Sequence, residues 1–259
     1  MCRSSSSASP RAWYARLTTW TPRALDSEAR SYARTLWRVV EAQFTASTMR
    51  LADSLEEQAL LETVLEESKP PLPDAVARLP YLLATPFRYR PHAGSRFRGA
   101  LDAGVWYGAE QLRTALAEKS YWQLRFLLDS PGTPDLKPVP HTAFRAAVRT
   151  ARALDLTAAP LLRDRASWTA RDSYAATQAL AGAVRAAALA LIRYESVRDP
   201  EGAACAAVLD PAVFGRAKPH SQETWFIAAG RAAVRCARDE RGGASFQFSR
   251  GQLVEGTSE

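Results

Sequence analysis

The chain has 259 residues, of which 47% are hydrophobic and 24% charged, which is the composition of a folded globular protein. Its three cysteines and three histidines are widely spaced, which argues against a disulfide framework or a zinc site and predicts no bound metal. The net charge of +7 indicates an anionic partner, unless it reflects only a composition whose basic residues are nearly all arginine. The N-terminus has no signal-peptide pattern and no apolar run suits a membrane helix, so a cytoplasmic protein without membrane association is predicted.

The first 74 residues are predicted to form a leader and a helical extension. Residues 1–26 are interpreted as a flexible leader. A helix is predicted next from apolar residues at three- and four-residue spacing, namely Ala29, Tyr32, Ala33, Leu36, Trp37, Val40 and Phe44. A second helix begins near Ser54, which forms a capping box with Glu57. The prolines at positions 70–73 end that helix, so the extension and its proline-rich linker span residues 27–74.

Short strands and helices follow from residue 84 onward. The pattern predicts, in order, a strand over 84–90, a loop over 92–104, a strand over 105–108, a helix over 110–128 and a proline-rich loop over 130–140. Residues 142–156 fit either a helix or a strand. Asp172 or Ser173 is predicted to cap a further helix.

The last part of the chain contains further short apolar segments. Residues 189–194 and 204–209 are predicted to be buried strands, and residues 223–238 fit either a strand or a helix. Residues 245–249 are predicted to be the last strand. The fold class is therefore predicted to be α+β, with a compact mixed sheet behind the N-terminal helical extension. The main domain is placed at residues 84–240, and a C-terminal strand and tail at 241–259.

An ordered series of short motifs carries the most specific signal in the sequence. The motifs are Arg88-Tyr89-Arg90, Gly94-Ser95-Arg96-Phe97, Val105-Trp106-Tyr107-Gly108-Ala109, Thr114-Ala115-Leu116-Ala117-Glu118 and Ile192-Arg193-Tyr194-Glu195-Ser196-Val197-Arg198-Asp199-Pro200. Over roughly residues 84–214, this series resembles the RES-domain family, which is named for its Arg, Glu and Ser.

The resemblance implies a fold similar to that of ADP-ribosyltransferases and an activity as a bacterial toxin. Such a toxin depletes NAD by cleaving its nicotinamide–ribose bond, through hydrolysis or phosphorolysis. NAD is then a substrate, and no prosthetic group is expected. The resemblance also implies an Xre-like antitoxin as protein partner, with nucleic acid contacted only through that antitoxin. Self-association through the N-terminal helices is a further expectation.

Three residues are carried over by position as catalytic. The resemblance places Arg96 in the Gly-x-Arg loop, Tyr107 on the short strand and Glu118 on the Ala-Leu-Ala-Glu helix. A carboxylate can stabilise the positive charge that develops on the ribose as nicotinamide leaves, which is the role given to Glu118. Arg96 can bind the pyrophosphate through its planar guanidinium, and Tyr107 can stack on nicotinamide or ribose.

Three further residues are expected to bind the substrate. Ser196 can form a hydrogen bond with the carboxamide or a ribose hydroxyl, and Arg88 and Arg198 are additional phosphate ligands. The sequence departs from the family pattern around Ser196, where Glu195 and Val197 replace the proline and alanine that family members often have. Without the motif order, each of these residues would be interpreted as an ordinary surface, turn or core residue.

Other functions remain open at this point. The same site would serve transfer of ADP-ribose to a macromolecule, although Leu116 and Ser120 stand where such transferases often carry a second acidic residue. The basic charge is also compatible with a non-catalytic nucleic-acid-binding module, although no motif for that role is present. An inactive long form is a further alternative. The acceptor, whether water, phosphate or a protein side chain, is left open.

Overall fold

The computed structural model of the chain describes residues 20–42 and 51–255. The leader up to residue 19, the predicted helical position Phe44 and the end of the predicted tail lie outside these residues. Within them the protein is a mixed sheet with helices packed on it, which confirms the predicted α+β class. The expected likeness to ADP-ribosyltransferases stays a prediction.

The helices and strands alternate irregularly along the chain. The α-helices are α1 (Pro22–Ser27), α2 (Leu55–Glu67), α3 (Tyr81–Arg88), α4 (Leu112–Asp129), α5 (Arg165–Trp168) and α6 (Ala175–Ala186). The strands are β1 (Arg30–Glu41), β2 (Trp106–Ala109), β3 (Leu136–Asp155), β4 (Leu191–Glu195), β5 (Ala204–Val208), β6 (His220–Ala229), β7 (Ala233–Arg238) and β8 (Ser245–Ser249). Short 3-10 helices occur at Asp74–Val76, Leu161–Asp164 and Pro211–Phe214, and a π-helical turn at Gly251–Glu255.

Strand pairing closes part of the sheet into a ring. The strands are ordered β1-β2-β5-β4-β3-β6-β7-β8, and β1 also pairs with β3 along most of its length. This additional pairing joins β1, β2, β5, β4 and β3 into a closed circuit, from which β6, β7 and β8 extend as an antiparallel arm. Strand β3 can belong to both parts because it is 20 residues long. Its last residues, 153–155, pair with β4 in parallel, while its first half pairs with β6.

The predicted helix over residues 29–44 is wrong, because residues 30–41 form β1. This strand buries side chains on both of its faces: Tyr32 and Leu36 belong to one core, and Trp37 and Val39 pack in the other. Two interleaved period-two patterns therefore imitate the three- and four-residue spacing of a helix. Pairing with two neighbouring strands decides the conformation, as tertiary context routinely overrides local preference.

The predicted strand over residues 84–90 is also wrong, because residues 81–88 form α3. Leu83, Ala84 and Phe87 are buried on one helical face, and the rings of Phe87 and Phe214 meet edge to face with centroids 6.5 Å apart. The helix begins at Tyr81, before the predicted strand, so residues 84–90 taken alone do not show its apolar spacing. Another correction concerns the predicted flexible leader, whose end forms α1 with Leu25 fully buried.

Other predictions are confirmed or resolved. The capping box at the start of α2 is confirmed, since the Glu57 amide donates to the Ser54 hydroxyl at 3.1 Å. The two ambiguous regions are strands: residues 142–155 belong to β3, which begins inside the predicted proline-rich loop, and residues 223–238 are divided between β6 and β7. The N-cap of α6 is Tyr174 and neither of the two predicted residues.

The sheet separates two hydrophobic cores. Helix α4 contributes Leu116 and Leu124 to one core, which also contains the buried Trp225 of the β6–β8 arm. Helix α3 covers the other core, where the Trp106 ring lies 5.2 Å from that of Phe214. None of the described helices is long and apolar enough to cross a membrane. Among the described residues, no cluster of three or more histidine, cysteine, aspartate or glutamate side chains could hold a metal ion.

Candidate functional site

A cavity of about 370 Å³ lies where α4 faces β1 and β2. The loop before β2 contributes Arg96, β2 contributes Tyr107, and α4 contributes Glu118, so the structure brings the three predicted catalytic residues together. Gly108 forms part of the same wall. A Cβ atom at this position would lie 2.4 Å from the Trp106 ring, so the close approach of these residues requires glycine.

Glu118 lies on the face of α4 that is directed at the cavity. Ala115, Tyr121 and Trp122, which are three or four residues away, line the same cavity, as expected for neighbours on one helical face. The Glu118 Oε1 atom accepts a hydrogen bond of 2.7 Å from the Ser196 hydroxyl. The carboxylate is therefore held in one orientation while part of it stays accessible from the cavity.

The surroundings of Glu118 alter its acidity. Burial raises the pKa of the Glu118 carboxyl, while the Ser196 hydrogen bond and the charges of Arg96 and Arg198 oppose that rise. The negative charge of Asp199 adds to the rise. The net effect is upward, so Glu118 keeps its proton to a higher pH than an exposed glutamate does.

The raised pKa of Glu118 leads to a prediction about stability. Because this pKa is higher in the folded than in the unfolded chain, the stabilising contribution is complete below the unfolded value and is lost as pH rises through the folded value. Glutamine does not ionise, so the Glu118→Gln variant does not lose this stabilising contribution as pH rises. The variant should therefore melt at a higher temperature than the wild type at about pH 8, and the difference should be smaller at about pH 4. Thermal melts of both proteins across this range check it, and a difference that grows toward acid would contradict it.

Tyr107 joins the cavity wall to the preceding loop. Its hydroxyl lies 2.8 Å from the Ser95 hydroxyl and accepts a hydrogen bond of 3.1 Å from the Phe97 amide. Burial raises the pKa of Tyr107, although both hydrogen bonds oppose the rise. The phenol therefore stays protonated at neutral pH. Its hydroxyl orders the loop, and its partly exposed ring lines the cavity.

Arg96 is 8% exposed and lines the cavity. Its Nη1 atom donates to the carbonyl oxygens of Trp168 and Ala170, both at 3.0 Å, and the guanidinium lies over the Tyr174 ring at 4.8 Å. Arg96 thus fixes the segment after α5 and positions Tyr174, which also lines the cavity.

Ser196 and Arg198 lie behind the cavity wall, each only 2% exposed. The Ser196 hydroxyl, besides donating to Glu118, accepts hydrogen bonds from the Arg198 amide at 3.2 Å and the Asp199 amide at 3.1 Å. The Arg198 guanidinium donates to the carbonyl oxygens of Leu253 and Arg171 and stacks on the Tyr121 ring at 3.7 Å. In this structure both side chains support the site from behind and do not line it.

Arg88 is the one predicted substrate-binding residue that the structure places elsewhere. Its Nη1 atom lies 2.7 Å from the Glu66 carboxylate, and its Nε atom donates to the Pro70 carbonyl. These contacts attach the end of α3 to the end of α2. Arg88 is not among the residues that line the cavity.

Two cationic side chains that sequence analysis did not select also line the cavity. Arg38 comes from β1, and Lys119 follows Glu118 on α4. The pattern of β1 could not reveal Arg38, because that segment imitates a helix. Lys119 could have been selected because it directly follows Glu118 in the sequence, although the Ala-Leu-Ala-Glu motif ends at Glu118.

Comparisons with known proteins fit the motif series. The family model of the RES domain matches residues 72–228, a segment that contains Arg96, Tyr107, Glu118 and Ser196. A search of the curated proteins finds no match. Among solved structures, the chain is similar to one described as the crystal structure of the M. tuberculosis MbcT–MbcA toxin–antitoxin complex. That match has a TM-score of 0.48 and 13% sequence identity, and it covers 80% of this chain and 92% of the other. Because the family model matches more than half of the sequence and includes the cavity residues, the chain belongs to the RES-domain family.

Proposed function

We propose that this protein is a toxin that destroys NAD by cleaving the bond between nicotinamide and ribose. The observation that carries the proposal is the carboxylate of Glu118, which is held by Ser196 at 2.7 Å and directed into a cavity lined by Arg96 and Tyr107. The cavity volume of about 370 Å³ lies within the range of small-molecule sites. We further propose that the protein acts in the cytoplasm, on the cellular NAD pool.

The chemistry explains why a fixed carboxylate matters. Departure of nicotinamide leaves positive charge on the ribose ring, and a carboxylate in a low-dielectric cavity stabilises that charge more strongly than water does. In this proposal the ionised Glu118 faces the ribose. The rings of Tyr107 and Tyr174 offer flat surfaces for nicotinamide, and the Glu118 hydrogen bond to Ser196 prevents the carboxylate from turning away.

The surroundings of Glu118 favour a small acceptor for the ribose. Leu116 and Ser120, two positions on either side of Glu118, are both fully buried and carry no carboxylate. A second acidic group that could activate a protein side chain is therefore absent from these two positions. We propose that water or phosphate is the acceptor, and that transfer to a macromolecule is the less favoured alternative.

The direct test follows NAD consumption and nicotinamide release by the purified protein, with and without added phosphate. Release in both conditions identifies hydrolysis, and a requirement for phosphate identifies phosphorolysis. Intact NAD in both conditions, with a folded protein, would refute the proposed reaction. Labelled NAD distinguishes the alternative, because transfer to a macromolecule leaves the label bound to protein.

Family membership also supports the proposal of a protein partner. We propose that an Xre-like antitoxin holds this protein inactive, and that any contact with nucleic acid is made through that antitoxin. Expression of the chain alone in a bacterium should arrest growth and lower cellular NAD, and a co-expressed Xre-like antitoxin should restore both. Growth arrest without a fall in NAD would contradict the proposed toxic activity. Self-association stays a prediction, which sedimentation of the purified chain can test.

Ser196→Ala should lower kcat about tenfold with little change in KM, because the hydroxyl orients Glu118 and does not line the cavity. The same change should move the acid limb of the pH–rate profile to higher pH, because the lost hydrogen bond no longer lowers the pKa of Glu118. Kinetics across pH measure both effects. Ser245→Ala, at an exposed position on β8, is the matched control. An increase in KM alone would instead assign Ser196 to substrate binding.

A further inference from the structure

Asp199 lies in the loop after β4, three residues beyond the serine that holds Glu118, and its carboxylate is fully buried. One carboxylate oxygen accepts a hydrogen bond of 2.7 Å from the Thr114 hydroxyl, and the other forms an ion pair with Arg113. Both partners lie in the first turn of α4, the helix that carries Glu118. A buried carboxylate requires such partners, because burial of an unpaired charge is strongly unfavourable. Asp199 therefore joins the loop after β4 to the start of α4.

The first turn of α4 has no negative charge of its own. Its N-cap residue, Gln111, makes no capping hydrogen bond through its side chain, and no acidic residue occurs in that turn. The backbone amides at the start of a helix carry partial positive charge, which a nearby anion stabilises. Asp199 supplies this anion from a distant segment of the chain, so the contact is favourable for the helix as well as for the carboxylate.

The same loop determines the direction of the Ser196 hydroxyl. The amides of Arg198 and Asp199 donate to this hydroxyl at 3.2 and 3.1 Å, and the hydroxyl donates to Glu118 at 2.7 Å. A serine hydroxyl has one donor and two acceptor positions, so these three hydrogen bonds use all of them. With both acceptor positions filled by amides, the proton of the hydroxyl is directed at the carboxylate.

The contacts begin and end on one helix. Thr114 precedes Glu118 by four residues, so the two side chains lie on the same side of α4, about one turn apart. The helix therefore carries both the hydroxyl that fixes the loop and the carboxylate that the loop orients. A closed series of contacts leads from Thr114 through Asp199 and Ser196 to Glu118, and the rigid backbone of one helical turn completes it.

We propose that Asp199 is a positioning residue, which Thr114 and Arg113 hold in place and which directs the Ser196 hydroxyl at Glu118. Its effect on catalysis rests on the proposed function, in which this glutamate stabilises the ribose cation. Neither Thr114 nor Asp199 is among the described residues that line the cavity, so both act through Ser196 and not on the substrate. A carboxylate that is held in one orientation needs no rearrangement when charge develops in the transition state.

Two substitutions of Thr114 test the proposal through nicotinamide release from NAD. Thr114→Val has nearly the same shape but lacks the hydroxyl, so it should lower kcat about fivefold with KM changed less than about twofold. Thr114→Ser keeps the hydroxyl and should retain kcat within about twofold of the wild type. Thr63→Val makes the same change at an exposed position of α2 and should leave both constants unchanged. A rise in KM alone would contradict the proposal.

A double-mutant cycle shows whether Thr114 acts through Ser196. In the Ser196→Ala background the hydroxyl that the loop directs is missing, so adding Thr114→Val should change kcat by less than about twofold. An equal loss in both backgrounds would overturn the proposal. Asp199→Asn removes the charge that pairs with Arg113, and it should lower kcat in the wild type but not in Ser196→Ala. This second variant carries the test if Thr114→Val fails to fold.

Hydrogen exchange supplies a measurement that does not depend on catalysis. The Arg198 and Asp199 amides donate to a buried hydroxyl, and both should exchange about tenfold faster in Thr114→Val than in the wild type. The amides of β5, which pairs with a strand on each side, should keep their protection in the same variant. Unchanged exchange of the two loop amides would refute the positioning role.

The outcomes separate this positioning role from the proposed reaction. If NAD is cleaved but folded Thr114→Val and Asp199→Asn both keep the kcat of the wild type, the positioning role is refuted and the activity stands. If exchange of the Arg198 and Asp199 amides rises in Thr114→Val but the wild type does not cleave NAD, the contacts between the loop and α4 are supported and the proposed reaction fails.

Discussion

Replacing Glu118 with glutamine is expected to lower the rate of nicotinamide release from NAD by about 10²- to 10⁴-fold. Glutamine has nearly the same shape and can still accept the hydrogen bond that the Ser196 hydroxyl donates. The substitution therefore removes the negative charge while the cavity keeps its form. The loss should appear in kcat, because charge stabilisation by the carboxylate develops only in the transition state.

Single-turnover release of nicotinamide measures this effect without interference from product dissociation. Glu67→Gln, at an exposed position at the end of α2, is the matched control and should retain full activity. Retention of activity in folded Glu118→Gln would show that another group stabilises the ribose cation. In the wild type, the acid limb of the pH–rate profile should lie above the ordinary glutamate pKa of 4.5, because burial raises the pKa of Glu118.

Arg198→Met is expected to reduce the free energy of unfolding by about 3–5 kcal/mol. The buried Arg198 guanidinium donates to the carbonyl oxygens of Arg171 and Leu253, which come from two separate segments of the chain. Methionine fills part of the space over the Tyr121 ring but leaves the Arg171 carbonyl oxygen without this donor, while the Leu253 carbonyl keeps its hydrogen bond of 2.8 Å from the Arg171 guanidinium. The effect should be large because buried acceptors that lose a charged donor also lose contact with water.

Urea denaturation of the two proteins measures this loss. Arg235→Met, at an exposed position on β7, should change the free energy of unfolding by less than about 0.5 kcal/mol and is the matched control. The result also decides between two roles for Arg198. A folded Arg198→Met of normal stability and weakened NAD affinity would favour the substrate-binding role that the family resemblance implied over the supporting role seen in the structure.

Local patterns in the sequence were sufficient for several elements. Ser54 and Glu57 marked the start of α2 because capping depends only on residues within one turn. The apolar runs that became β4 and β5 were recognisable because short apolar segments with few charges suit interior strands. The motif series also selected Arg96, Tyr107 and Glu118, which the structure brings to one cavity.

Other features depend on contacts between distant parts of the chain. Strand β1 imitates a helix because its two faces enter different cores, and only its pairing with β3 and β2 reveals the strand. The hydrogen bond between Ser196 and Glu118 joins residues that are far apart in the sequence. The residues around Ser196 do not indicate whether its hydroxyl donates to the glutamate or to a ligand. Arg88 likewise lies beside Glu66 because the end of α3 lies near the end of α2, a contact that the local sequence does not predict.

The sequence by itself therefore determined the α+β class, the family and the catalytic candidates, because these depend on residue order and short-range periodicity. Only the tertiary structure decided which of those side chains line the cavity, which support it from behind, and that Arg38 enters it from β1. The physical reason is that the direction of a side chain and its burial are set by packing between segments. That packing depends on the whole fold and cannot be predicted from the residues that are adjacent in the sequence.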